Sequence, residues 1–300
     1  MTKKLYKECK KKDYSGYLYI LPFFFVVIFF WYVPILVSGW FSLTEYNALG
    51  NPSFIGPGNY ISLFKDKMFL KSIANTLLFV VAVVPLQTVF GFLIAVWVNK
   101  RKTTWLGKFV RNGMFVPSLA SLGVVCIVWR LLLNNDQSPL GLLLSCFGIK
   151  SSLVLGSKEL VFPALIIMNA LIGTGYYMVL YLAYLVDIPE SYYEAAKLDG
   201  ASDFQIMRYI TAPLMKPTTI MIIFLGVMNM FQSFDMIYIM TGGGPGQGTT
   251  MTLMMSMYLN SFKYSKIGYG MAIGNILIIL VAGLTFLQRK LLNQKANSLY

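Results

Sequence analysis

Two groups of residues in this chain have types and spacings that could do chemistry. The first lies inside long apolar runs. Asn169, Gly173 and Tyr176 stand at i, i+4 and i+7, and Gly226, Asn229, Met230 and Ser233 recur in a later run with Gln232 beside them. On a helix each set shares one face. Amides and hydroxyls there could bond a sugar-like solute, the tyrosine ring could stack on its apolar side, and glycine would leave it room. Small and polar residues are also the contacts through which membrane helices pack. The stripe alone leaves both readings open.

The second group is polar. It runs Glu194-Ala195-Ala196-Lys197-Leu198-Asp199-Gly200 and continues to Ile210-Thr211-Ala212-Pro213. Asp187 with Glu190, and Ser202 with Gln205, have capping-box spacing, and Pro189 is tolerated in a first helical turn. Gly200 suits the left-handed residue that stops a helix. The pattern predicts two short helices joined by a turn within residues 187–216, with Pro213 and Pro217 bracketing the start of the next apolar run. Tyr192, Tyr193, Ala195 and Ala196 mix aromatic and small side chains, a surface another protein could approach closely. The alternative is a linker in which Glu194 pairs with Lys197 at i, i+3. On these residues alone the two readings are equal.

The elements that position both groups follow from composition. The chain is 57% hydrophobic and 12% charged, against about 25% charged for a soluble domain, and its mean hydropathy is +0.64. A spanning helix needs about 20 mostly apolar residues. Six such stretches are present, at residues 17–43, 72–98, 109–133, 160–186, 214–239 and 268–287, so the expected fold is all-α and polytopic. The first is too long, and lacks the small-residue cleavage site, for a signal peptide, and is read as a retained span. A basic tail (1–16) precedes it, an outer loop (44–71) follows, the core occupies 72–290, and a second tail closes the chain (291–300). With the N-terminus inside, seventeen lysines and arginines fall on the inner side and seven on the outer, Arg130 lying near the outer end of a span. That bias predicts two cytoplasmic termini and a cytoplasmic 187–216 segment.

Several function classes drop out. The net charge of +13 is spread between spans instead of forming one basic face, so nucleic acid is not an expected partner. There is no histidine, and Cys9, Cys126 and Cys146 are too scattered for a metal site or disulfide framework. No cofactor or metal is expected, and no paired carboxylates or nucleophile motif suggest an enzyme. An ion-coupled secondary transporter is the alternative transport class. It usually needs intramembrane carboxylates or histidines, and only Asp235 lies well within a span, where a structural role is expected. The run Gly242-Gly243-Gly244-Pro245 lacks the Lys-Ser/Thr of a phosphate loop and reads as a tight outer hairpin.

The order Glu-Ala-Ala, three residues, Gly, nine residues, Ile-x-Leu-Pro resembles the cytoplasmic signature of permease subunits of binding-protein-dependent ABC importers. Here it is Glu194-Ala195-Ala196, Gly200 and Ile210-Thr211-Ala212-Pro213, with Ala212 where leucine is usual. Phe54-Ile55-Gly56 with Asn59-Tyr60, Leu63-Phe64 and Asn75-Thr76-Leu77 resembles the first outer loop and second span of the carbohydrate branch, similar to the maltose and glycerol-3-phosphate types. Residues 234–245 resemble the outer turn of the first of its two permeases, and Gly268-Tyr269-Gly270 opens the last span as in that family.

The resemblance implies a six-span type I ABC importer permease in the cell membrane. It implies a second related permease, two cytoplasmic ATPase subunits and an extracytoplasmic sugar-binding protein as partners, with ATP hydrolysed on a separate chain. It further implies that Glu194, Ala195, Ala196, Gly200, Ile210 and Pro213 meet the ATPase. Tyr176, Asn229 and Ser233, with Asn169, Gly173 and Gln232, are the implied pathway residues.

Overall fold

The computed structural model describes residues 15–48, 50–244 and 248–296; at 15, 16, 289 and 291–296 only the backbone is described. The basic tail with Cys9, and Pro245 of the glycine-rich turn, lie outside the described residues.

Apolar length decides the elements. Among the described residues four single helices are long and apolar enough to cross a bilayer: Tyr17–Ser42, Lys67–Lys100, Val161–Leu185 and Ile267–Gln288. Two bent pairs reach that length and apolarity only when taken together, Trp105–Leu119 with Leu122–Leu133 at 105°, and Asp203–Leu214 with Lys216–Phe231 at 68°. Counting each bent pair as one span gives the six expected. The third, expected to be continuous over 109–133, bends because Ala120 and Ser121 are extended (ψ 152° and 128°) just after Pro117. The fifth, expected to reach residue 239, stops at Phe231, and Asp235–Thr241 forms a separate short helix. Phe234 (φ −127°, ψ −56°) leaves helical geometry, and its ring packs on Tyr238 and Tyr258 with centroids 5.2 and 4.7 Å away. The loop read over 44–71 folds into a two-stranded hairpin, Thr44–Glu45 with Ser53–Phe54, and a helix Gly58–Lys65.

Helix Lys67–Lys100 is the axis of the fold. Asp66 caps it by accepting from the Met68 N–H at 2.8 Å. Its 34 residues rise about 51 Å, more than the roughly 30 Å of hydrocarbon, so it projects beyond the membrane. It packs most extensively along Val161–Leu185, and the two approach closely because small residues stand at the crossing. A Cβ on Gly91 would lie 3.2 Å from the Tyr177 Cβ, and one on Gly173 would overlap the Gln87 amide; a Cβ on Gly175 would strike the Met114 carbonyl of the neighbouring helix Trp105–Leu119. Membrane helices gain little from hydrophobic association, so such close packing and interhelical bonds hold them.

One end of the bundle is laced by polar contacts. Asn75 Nδ2 donates to the carbonyls of Gly248, Thr249 and Met251 at 3.2, 3.1 and 2.9 Å. The Leu253 N–H donates to Thr76 Oγ1 at 3.0 Å, and the hydroxyls of Thr241 and Thr250 are 2.8 Å apart. Gly242, Gly243 and Gly244 all have positive φ, so this turn needs glycine and no phosphate to explain it. Tyr269 donates to Asp66 Oδ2 at 2.8 Å and ties the start of the last helix to the same end. By contrast, none of the most apolar window of the first span is buried within the chain.

Candidate functional site

A cavity of about 220 Å³ opens where Lys67–Lys100, Val161–Leu185 and Lys216–Phe231 meet the bend at Pro117 and Ser118. Four of the six pathway candidates line it: Asn169, Gly173, Tyr176 and Asn229. Gln232 and Ser233 do not. Their expected place on one face assumed a helix that continues, whereas Gln232 caps its end and the Ser233 carbonyl accepts from Thr252 Oγ1 at 3.2 Å.

Gln87, Pro117, Ser118 and Tyr177 complete the wall without having been singled out in the sequence. Gln87 had a signal, an amide inside an apolar span. Its Nε2 donates to the Asn169 carbonyl at 2.9 Å and reaches Asn169 Oδ1 at 3.2 Å. Asn169 Nδ2 points at Met236 Sδ, 3.4 Å away. Asn229 Nδ2 donates to the Tyr177 hydroxyl at 3.4 Å. The glycines serve packing as much as solute room. A Cβ on Gly173 would overlap the Gln87 amide, and one on Gly226 would meet Val84 Cγ1 at 3.1 Å. Of the stripe residues, Asn169, Gly173, Tyr176, Asn229 and Met230 border the cavity, and Gly226 packs against Val84.

The polar segment forms helix Glu190–Leu198, with no buried residue. The expected box between Asp187 and Glu190 is not made, because the helix starts after Pro189, which caps it without a side-chain bond. Glu190 reaches Lys102 at 3.5 Å instead. At the far end Gly200 takes φ +77°. The Ala201 N–H bonds the Ala196 carbonyl at 2.9 Å and the Gly200 N–H bonds that of Lys197 at 3.1 Å, the two bonds of a Schellman stop. Ser202 and Gln205 form the predicted capping box, with both reciprocal bonds present.

Among the described residues no ion pair joins Glu194 to Lys197. Glu194 and Ala195 are exposed, and Leu198 is 90% exposed with Phe204 and Tyr209 at 62% and 69%. Gly200 and Ile210 share a groove of about 270 Å³ with Gln205, Ile206 and Tyr209. Pro213 lies in Ala212–Leu214, two residues before the 68° bend at Met215. Lys100 pairs with Asp203 at 2.9 Å and holds that carboxyl below the usual carboxylate range. Both halves of the segment are therefore tied to the C-terminal end of Lys67–Lys100. Tyr181 also donates to Thr219 Oγ1 at 3.0 Å, linking Val161–Leu185 to the helix beyond the bend.

Relatives extend over nearly the whole chain. The trehalose/maltose transport system permease protein MalF of Thermococcus litoralis is 32% identical over 293 residues, 97% of this chain and 96% of that protein. The multiple sugar-binding transport system permease protein MsmF of Streptococcus mutans is 32% identical, covering 93% and 95%. The probable ABC transporter permease protein YurN of Bacillus subtilis is 28% identical, covering 91% and 94%. Among solved structures, a chain of a bacterial alginate ABC transporter, in complex with alginate pentasaccharide-bound periplasmic protein, shares the fold with a TM-score of 0.82. It is 20% identical, with 94% of each chain covered. Residues 87–297 match the family described as binding-protein-dependent transport system inner membrane component. Several long apolar helices, an exposed capped helix and this match over most of its length make the chain a member of that family.

Proposed function

We propose that this chain is one of two related permease subunits of an ATP-driven importer for a sugar or sugar derivative. The observation that carries the reading is the pairing of a solvent-presented capped helix, Glu190–Leu198, with a neutral amide-and-tyrosine cavity inside the bundle. Relatives over more than nine-tenths of the chain carry trehalose/maltose or multiple-sugar transport in their names.

In this mechanism an extracytoplasmic binding protein delivers solute to the end of the bundle held by Asn75 and Thr76. Tyr176 and Asn229 line half of the path, with Asn169 and Gly173 at its wall, and the partner permease supplies the other half. ATP is hydrolysed by two separate cytoplasmic subunits. Their closure moves the helix bearing Glu194, Ala195 and Ala196, and Gly200 lets that helix end sharply enough to seat in an ATPase groove. Ile210 and Pro213 pass the displacement through the bend at Met215 into Lys216–Phe231, which carries Asn229. The ion pairs of Lys100 and Lys102 pass it to the helix that carries Gln87. A ligand shifts such an equilibrium only through unequal contacts in its two states. Both termini lie in the cytoplasm, an orientation supported by the lysine and arginine bias.

The test is energetic. In cells with the complete system, sugar uptake should persist when ion gradients are collapsed and stop when ATP is depleted. Uptake that follows the ion gradient would establish secondary transport instead.

A further inference from the structure

Gln87 is 2% exposed, and its Oε1 is the sole buried side-chain nitrogen or oxygen among the described residues without a hydrogen-bond partner. The assignment of that oxygen follows from its neighbours. The atom 2.9 Å from the Asn169 main-chain carbonyl must be a donor, because a carbonyl only accepts. Turning the amide over would set two acceptors against each other, so Nε2 belongs there and Oε1 is left over. The polarity of the run is therefore fixed: Asn169 directs its NH₂ at Met236, its oxygens accept from Gln87, and the row ends in a buried, unpartnered acceptor on a residue that lines the cavity. Gly173 leaves room for the Gln87 amide, since a Cβ there would occupy the same space.

The charge of the wall adds a second constraint. The lining residues include Ser118, Tyr176, Tyr177 and Asn229 but no lysine, arginine, aspartate or glutamate. An anionic solute would meet an acceptor and no counter-charge at this depth, which is costly in a low-dielectric setting. A hydroxyl donor meets what the site lacks.

We propose that Gln87 is a solute-selecting residue whose Oε1 accepts one hydroxyl of an uncharged sugar, and that the cavity excludes acidic and phosphorylated sugars. This rests on the reading of the cavity as part of the transport path. It assigns the second span a part in selection and narrows the substrate class to neutral polyols.

The experiment uses the complete transporter, with its binding protein and ATPase, in proteoliposomes. Maltose, trehalose and lactose are offered first, and the one transported is then compared with its monodeoxy derivatives and its uronic acid. The native protein should discriminate against one monodeoxy derivative by about 10-fold in kcat/KM, the worth of one buried hydrogen bond, and should not carry the uronate. Gln87→Met, which keeps the volume and loses the acceptor, should raise KM for the parent about 10-fold and erase that discrimination. Gln87→Glu in its neutral carboxylic acid form keeps a donor for Asn169 and an acceptor for solute, and should retain it at acidic pH. If Gln87→Met does not assemble, the native and Gln87→Glu profiles carry the test.

Equal loss by the methionine variant on the parent and every derivative would reduce Gln87 to a packing residue and overturn the proposal. Uptake of the uronate as fast as the neutral sugar would also overturn it. Asn229→Ala and Tyr176→Ala separate the two levels of inference. If neither alters KM for any sugar, the pathway reading itself fails; if they do and Gln87 variants do not, only this inference fails.

Discussion

Lys100 Nζ lies 2.9 Å from Asp203 Oδ1, joining the end of the longest helix to the start of the second helix in the exposed segment. The lysine holds the Asp203 carboxyl below its ordinary range. A depressed folded-state value means the tether is fully formed above the usual carboxylate range and is lost as pH falls through the lowered value. Amide exchange over residues 203–206, corrected for its intrinsic rate, should therefore accelerate on acidification. Asp203→Asn should remove this dependence. A pH response that survives the substitution would place the titrating group elsewhere.

Gly200 at φ +77° sets a second expectation. A non-glycine residue in left-handed geometry costs about 1–2 kcal/mol, and asparagine tolerates it best. The series Gly200→Asn, Gly200→Ala, Gly200→Val should show increasing loss of uptake while ATPase activity persists. Normal uptake by the valine variant would remove the proposed coupling role.

Close helix packing gives a stability test. Gly175→Ala would drive a Cβ into the Met114 carbonyl, a backbone atom that cannot rotate away, whereas Gly113 has nothing within 4 Å of that position. Gly175→Ala should destabilise by about 1–3 kcal/mol and Gly113→Ala by essentially nothing, read as thermal unfolding of the purified complex. Equal behaviour would show the helix crossing to be looser than described.

Asn75 donates to three carbonyls of the turn at 248–251. Asn75→Asp keeps the shape and replaces a donor by an anion facing those oxygens, so it should open the turn more than Asn75→Leu does. The leucine variant should cost about 1–3 kcal/mol through orphaned acceptors. Limited proteolysis in the 242–250 stretch should rank the variants aspartate, leucine, native, from fastest to slowest.

The amino-acid sequence by itself determined the long apolar helices, because a run of about twenty apolar residues is stable in a bilayer only as a helix. It also determined the Gly200 stop and the Ser202–Gln205 box, since those motifs are closed by bonds between residues a few positions apart. It brought Asn169, Gly173 and Tyr176 onto one face by helical period alone. What failed was each extrapolation that needed a distant partner. Ser233 left its expected face where Phe234 packs on Tyr258, and Glu190 turned from Asp187 to Lys102. Gln87 was an isolated amide in an apolar run until Val161–Leu185 set the Asn169 carbonyl against it. Periodicity and caps are local and can be read along the chain, whereas the end of a helix inside a bundle, and the partner of a buried amide, are decided by which other helix lies beside it.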